Sequence, residues 1–252
     1  MMNEVFSLKG KTALVTGART GIGQAISVGL AEAGANLVLL GHQDNMQETE
    51  QLINQTGRSY STFLGDLSNT SQVGELCKEI LEKHQIDILV NNAGIIRREP
   101  AADFSQDNWD AVIATNLSSL FFLTQSLARP MLERKQGKIV NIASLLSFQG
   151  GITVPSYTAS KHAVAGLTKA WANEWAAHNI QVNAIAPGYI STNNTEALRN
   201  NEDRNTSILS RIPAGRWGEA SDMAGAAVFL ASPASNYVNG HVLVVDGGWL
   251  AR

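Results

Sequence analysis

Seven short apolar runs punctuate the chain, at residues 11–15, 36–40, 59–64, 86–90, 138–142, 181–185 and 241–245, and none alternates strictly between apolar and polar side chains. A strand with one solvated face alternates, whereas a strand buried on both faces does not. Between most of these runs lie longer segments with apolar residues at helical spacing, among them 21–33, 71–83, 109–134, 157–177 and 221–231. Strand and helix in alternation predict an α/β fold, a doubly wound parallel sheet with helices on both faces. No repeat or linker-like tract divides the 252 residues, 44% of them hydrophobic and 16% charged, so one domain spanning 1–252 is expected. The stretch 189–218 is rich in Asn, Thr and Arg and interrupts the rhythm before the last helix and strand. A polar insertion of that length predicts a substrate lid.

Charge and cysteine content narrow the function. A net charge of −3 leaves no basic surplus for nucleic acid, so a small molecule is the expected partner. No apolar run approaches the roughly 20 residues that span a bilayer, and the amino terminus lacks a signal-type pattern, which predicts a cytoplasmic protein without membrane association. Cys77 is the single cysteine, read as a buried structural thiol; no disulfide or metal site is expected.

The segment Thr16-Gly17-Ala18-Arg19-Thr20-Gly21-Ile22-Gly23 follows the first apolar run and opens a helical segment. Glycines there let the backbone turn tightly and approach a pyrophosphate, which the helix N-terminus favours. Three residues separate Gly17 from Gly21, a departure from G-x-G-x-x-G. Other strand ends complete a dinucleotide crevice: Gly41 and His42 after the second run, Asp66 and Leu67 after the third, Asn92, Ala93 and Gly94 after the fourth, and Pro187, Gly188, Ile190 and Thr192 after the sixth. Asp66 is read either as an acceptor for an adenine amine or as a helix cap. No acid follows the second run to bind a ribose 2′-hydroxyl, and Arg19 could pair with a 2′-phosphate, so NAD and NADP both remain open.

Tyr157 and Lys161 lie four residues apart on a predicted helix and leave the same face one turn apart. A phenol with a pKa near 10 exchanges protons poorly at neutral pH, and a neighbouring ammonium would favour the phenolate. Ser144, just past the fifth run, could hydrogen-bond the substrate oxygen, and Asn116 could hold a water linking Lys161 to solvent.

Taken together, these residues resemble the short-chain dehydrogenase/reductase family over practically the whole length. The marks are Thr16 to Gly23, Asp66, Asn91 to Gly94, Asn116, Ser144, Tyr157, Lys161, Pro187-Gly188 and Asp246-Gly247-Gly248. The resemblance implies a single Rossmann domain, a nicotinamide cofactor, a Tyr-Lys-Ser-Asn catalytic group and a homotetramer. Asn91 to Glu99, Leu146 to Gly151, Ala186 to Tyr189, Thr192 to Thr195, Ile212 to Gly218 and Asp246 to Arg252 are similar to a branch acting on uronate-derived keto-deoxy sugar acids. Such a substrate needs a cation for its carboxylate and polar groups for its hydroxyls. Arg97 or Arg98 is the candidate clamp, unless it pairs with Glu99; Gln149, Asn193 and Asn194 are candidate hydroxyl contacts. Trp217 and Trp249 are expected to pack or to meet another subunit. Other oxo substrates stay open, including a uronate from alginate breakdown, a keto-gluconate and a 3-oxoacyl thioester. A noncatalytic nucleotide sensor would not need Ser144, Tyr157 and Lys161 together.

Overall fold

The computed structural model describes residues 2–252. Its strands are β1 Thr12–Thr16, β2 Asn36–Gly41, β3 Tyr60–Leu64, β4 Ile88–Asn91, β5 Gly137–Ile142, β6 Ile180–Pro187 and β7 Val242–Val245. Its helices are α1 Met2–Val5, α2 Gly21–Glu32, α3 Gln47–Gln55, α4 Val73–Lys83, α5 Gln106–Ile113, α6 Ser119–Glu133, α7 Pro155–Trp175, α8 Glu196–Arg199, α9 Glu202–Leu209 and α10 Ala224–Ala231. All seven strands pair in parallel in the order β3-β2-β1-β4-β5-β6-β7. The expected fold class is therefore the observed one.

Unbroken apolarity of the strands follows from two cores, one on each face of the sheet. Ala13 and Val15 of β1, with Leu37 and Leu39 of β2, meet Ile26 and Leu30 of α2, Ile53 of α3 and Leu230 of α10. The intervening Leu14, Val38 and Leu40 point the other way, toward Ile80 of α4, Leu123 and Leu127 of α6 and Val164 of α7. Successive residues of a strand face opposite sides, so both sets must be apolar. Burying one such side chain stabilises the fold by about 1.5–3 kcal/mol. Cys77 belongs to the second core, and burial pushes its thiol up to about 11, which keeps it protonated and inert. The edge strand β7 departs from expectation, because all four of its residues are only partly buried.

The helical segment expected at 109–134 is real but not uniform. Ser105 caps α5 by accepting the Asn108 N–H, and a π-helical turn, Ala114–Ser118, separates α5 from α6. The whole helical run Gln106–Glu133 is 28 residues long, and by length and apolarity alone it would suffice to cross a membrane. Its apolarity has another use here: Leu120, Leu123, Leu127 and Met131 fill the second core. Pro155 begins α7, where its missing N–H costs nothing.

Candidate active site

Strand order reverses direction between β1 and β4, and the carboxyl ends of these two strands frame a crevice. Thr16 locks the two ends together. Its hydroxyl accepts the N–H groups of Asn92 at 3.0 Å and Ala93 at 2.9 Å. In return the Asn92 amide donates to the carbonyls of Thr16 at 2.9 Å and Gly17 at 3.1 Å. Thus Asn92, expected to line the dinucleotide crevice, spends its side chain on the glycine loop. Gly17 and Gly21 have φ of 64° and 60°, which favours glycine, and a Cβ on Gly23 would fall 2.2 Å from the Gly17 oxygen. Thr20 offers α2 no side-chain cap, so the first N–H groups of that helix remain available to an anion.

A cleft of about 590 Å³ extends from this loop, within the usual range for small-molecule sites. Gly17, Arg19, Thr20, Gly21, Ile22, Gly23, Gly41, His42, Asp66, Leu67, Asn92, Ala93, Gly94, Tyr157, Lys161 and Thr192 all line it, as do Arg97, Asn193 and Asn194. Pro187, Gly188 and Ile190 do not. Gly188 is pressed against Asp246, where a Cβ would lie 2.6 Å from the Asp246 Cα, and Ile190 turns to bridge Gly218. Both line a separate cavity of about 190 Å³ behind the lid root. Asp66 does two things at once: one carboxylate oxygen accepts the Ser68 N–H at 2.8 Å, and the residue still faces the cleft. Hydrogen bonds from the Ser68 backbone and side chain hold this carboxyl below its ordinary range, with a smaller contribution from His42.

These residues fit a nicotinamide dinucleotide: the uncapped α2 N–H groups suit an anion, and Asp66 offers the cleft an acceptor. Neither Gly41 nor His42 presents a carboxylate to a 2′-phosphate, and Arg19 lines the same cleft.

At the other end of the cleft, α7 carries Tyr157 and the buried Lys161, whose ammonium is 5.5 Å from the centre of the phenol ring. Lys161 donates to the Ile142 carbonyl at 2.6 Å. Burial lowers its pKa from 10.5 to about 8. Burial also raises the Tyr157 phenol above 10, opposed first by a hydrogen bond with Ser144 and then by the charge of Arg98. The Lys161 ammonium thus lies beside the phenol ring while donating to a β5 carbonyl, and the charge of Arg98 also acts on Tyr157. The Ser144 hydroxyl accepts the Leu146 N–H at 3.1 Å, which leaves its own proton for an oxygen near Tyr157.

Asn116 sits in the π-helical turn. Its side chain accepts the Ile95 N–H at 2.8 Å and donates to the Ile95 carbonyl at 2.9 Å and to Ser160 at 3.3 Å. With these bonds Asn116 fixes the loop after β4 to α7. Gln149 likewise has a partner, since its Oε1 accepts the Trp249 indole N–H at 3.2 Å. The packing expected of both tryptophans is seen: Trp249 and Trp217 gather with Tyr189, Ile208 and Ile212 in one apolar cluster.

Glu99 binds neither arginine. It accepts from the Ser105 N–H at 2.8 Å and from Asn108 at 2.7 Å, at the start of α5. Among the described residues Arg97 hydrogen-bonds only to the Ile96 carbonyl, at 3.4 Å, while Arg98 donates to the Asn194 carbonyl at 3.1 Å. Sequence reading did not single out Thr16, the Ile142 carbonyl or Ile95 as positioning groups. For Thr16 a signal existed, a hydroxyl ending an apolar strand beside the glycine loop; the two backbone partners carry none.

Comparison with known proteins agrees with this geometry. A family model described as enoyl-(acyl carrier protein) reductase matches residues 17–250. The chain belongs to the short-chain dehydrogenase/reductase family and is an NAD(P)-dependent oxidoreductase. It is 62% identical over 251 residues to 2-dehydro-3-deoxy-D-gluconate 5-dehydrogenase of Bacillus subtilis (strain 168), covering 100% of this chain and 99% of that relative. A crystal structure of an Agrobacterium tumefaciens protein with bound NADP is 58% identical with a TM-score of 0.94, covering 98% of this chain and 99% of the other. A gluconate 5-dehydrogenase from Burkholderia cenocepacia J2315, in complex with NADP and tartrate, is 40% identical with a TM-score of 0.95 over 100% of both chains.

Proposed function

We propose that the protein interconverts 2-dehydro-3-deoxy-D-gluconate and its 2,5-diketo form, 3-deoxy-D-glycero-2,5-hexodiulosonate, in uronate catabolism. One observation carries the acidic-substrate reading: Arg97 lines the cleft, the charge of Arg98 acts on Tyr157, and among the described residues neither has a carboxylate partner, because Glu99 is engaged elsewhere. Free guanidinium groups beside a cleft suit a carboxylate ligand. The Bacillus subtilis relative supports the particular sugar acid.

Bound in this cleft, the nicotinamide would supply or accept the hydride. The chain's own residues handle the oxygen. Ser144 donates a hydrogen bond to the reacting oxygen, and Tyr157 gives it a proton in reduction or takes one in oxidation. Burial raises the proton affinity of this phenol, which suits it to the acid role. Lys161 would hold the cofactor ribose and support the charge on Tyr157. Asn193 and Asn194 face substrate hydroxyls, and 189–218 acts as the lid, its two ends clasped by the Ser191 N–H donating to the Gly218 carbonyl at 2.8 Å.

Two surfaces fit the homotetramer that the family resemblance implies. Trp109 and Phe122 remain exposed along α5 and α6, and β7 leaves one sheet edge unpaired. Steady-state assays with NADH and NADPH should rank the proposed sugar acid pair above 4-deoxy-L-erythro-5-hexoseulose uronate, 5-keto-gluconate and a 3-oxoacyl thioester in kcat/KM. Faster turnover of the thioester would overturn the assignment.

A further inference from the structure

We propose that Trp249 and Gln149 form a specificity pair, in which the indole fixes the orientation of the amide and makes Gln149 an obligate hydrogen-bond donor to the substrate. This rests on the sugar-acid reading above. An indole N–H can only donate, so the atom it meets at 3.2 Å must be the Gln149 oxygen. The amide therefore turns its NH₂ away from Trp249, and among the described residues that group has no partner. Gln149 lies on the loop between Ser144 and Tyr157, held there by its own N–H donating to the Leu145 carbonyl at 3.1 Å. Its donors are thus tied to the segment that carries both groups acting on the reacting oxygen.

Trp249 itself has little freedom to relax. It is 4% exposed, its ring centre lies 4.7 Å from that of Tyr189 at the root of the lid, and the Arg211 guanidinium sits 4.0 Å from it. One residue near the carboxyl terminus so joins the Ser144 loop, the root of the lid and the segment after α9. A free glutamine amide could rotate to offer either its oxygen or its NH₂; this one is restricted to donating. The subsite then prefers a substrate oxygen with lone pairs, such as a carboxylate or keto oxygen, over a group that must itself donate. In this pair Gln149 touches substrate, and Trp249 is a positioning residue.

The test compares Trp249→Phe, Gln149→Leu, Gln149→Glu and the Trp249→Phe/Gln149→Leu double variant, with NADPH affinity and thermal unfolding measured alongside. Gln149→Glu keeps an acceptor for the indole but replaces the donors with a carboxylate, so it retains the clasp while reversing the subsite. The expected result is a KM for the sugar acid raised about 3- to 10-fold in each single variant, the scale of one neutral hydrogen bond. kcat and NADPH affinity should change little, and the double variant should be no worse than the more impaired single. Unchanged KM in Gln149→Glu, or multiplying effects in the double variant, would overturn the proposal. Wild-type enzyme that binds NADPH but ignores every sugar acid would instead sink the functional reading, and with it this pair.

Discussion

Tyr157 and Lys161 leave α7 one turn apart, and burial pushes their proton affinities in opposite directions: the phenol up, the amine down to about 8. For the lysine this has a definite linkage sign. Between about pH 8 and its ordinary value of 10.5, the unfolded chain binds the Lys161 proton and the folded one does not, so folding stability from this group rises with pH across that window. Urea unfolding of wild type and Lys161→Met at pH 7.5 and 9.5 checks this: the difference should move in favour of wild type at the higher pH. An identical difference at both would contradict the buried, easily deprotonated amine. Spacing alone revealed that Tyr157 and Lys161 share a face. The Ile142 carbonyl that receives the ammonium was not legible, because a backbone acceptor contributed by β5 leaves no mark in the side-chain pattern. The same applies to Asn116, whose residue type was visible but whose two bonds to the Ile95 backbone depend on how the loop after β4 folds back.

Among elements, the glycine loop shows why its spacing matters more than its glycine content. Gly23 lies in the first turn of α2 with a normal backbone, and it is the approach of the Gly17 carbonyl and the Asn92 amide that forbids a side chain. Gly23→Ala should therefore separate α2 from the loop, costing about 1–3 kcal/mol of stability and weakening cofactor binding. Calorimetric titration with NADPH and thermal unfolding would show both; full-strength binding would mean the loop shifts freely. Strands and most helices were legible because strands buried on both faces and amphipathic helices leave periodic traces. The π-helical turn Ala114–Ser118 left none, since it inserts into an otherwise regular pattern, and β7 looked like its neighbours although it lies at the sheet edge. Asn194 was legible as polar lid chemistry; that its carbonyl receives Arg98 depends on residues 96 positions apart meeting across the cleft.

Across the whole molecule, two cores hold a sheet whose carboxyl edge carries the groups proposed to act, while the exposed Trp109 and Phe122 lie on α5 and α6. Phe122, 46% exposed and packed edge-on against Phe121, lies at the centre of the proposed subunit contact. Phe122→Glu should convert a tetramer to smaller species by light scattering, with the monomer fold intact by circular dichroism; a wild-type monomer would remove that contact. The central claim concerns the proton. In Tyr157→Phe the ring remains to pack, and only the oxygen that exchanges a proton is removed. Stopped-flow measurement of NADPH oxidation, paired with cofactor titration of the same variant, should show turnover reduced by about 10²–10⁴ with binding preserved. Turnover equal to wild type would contradict the account.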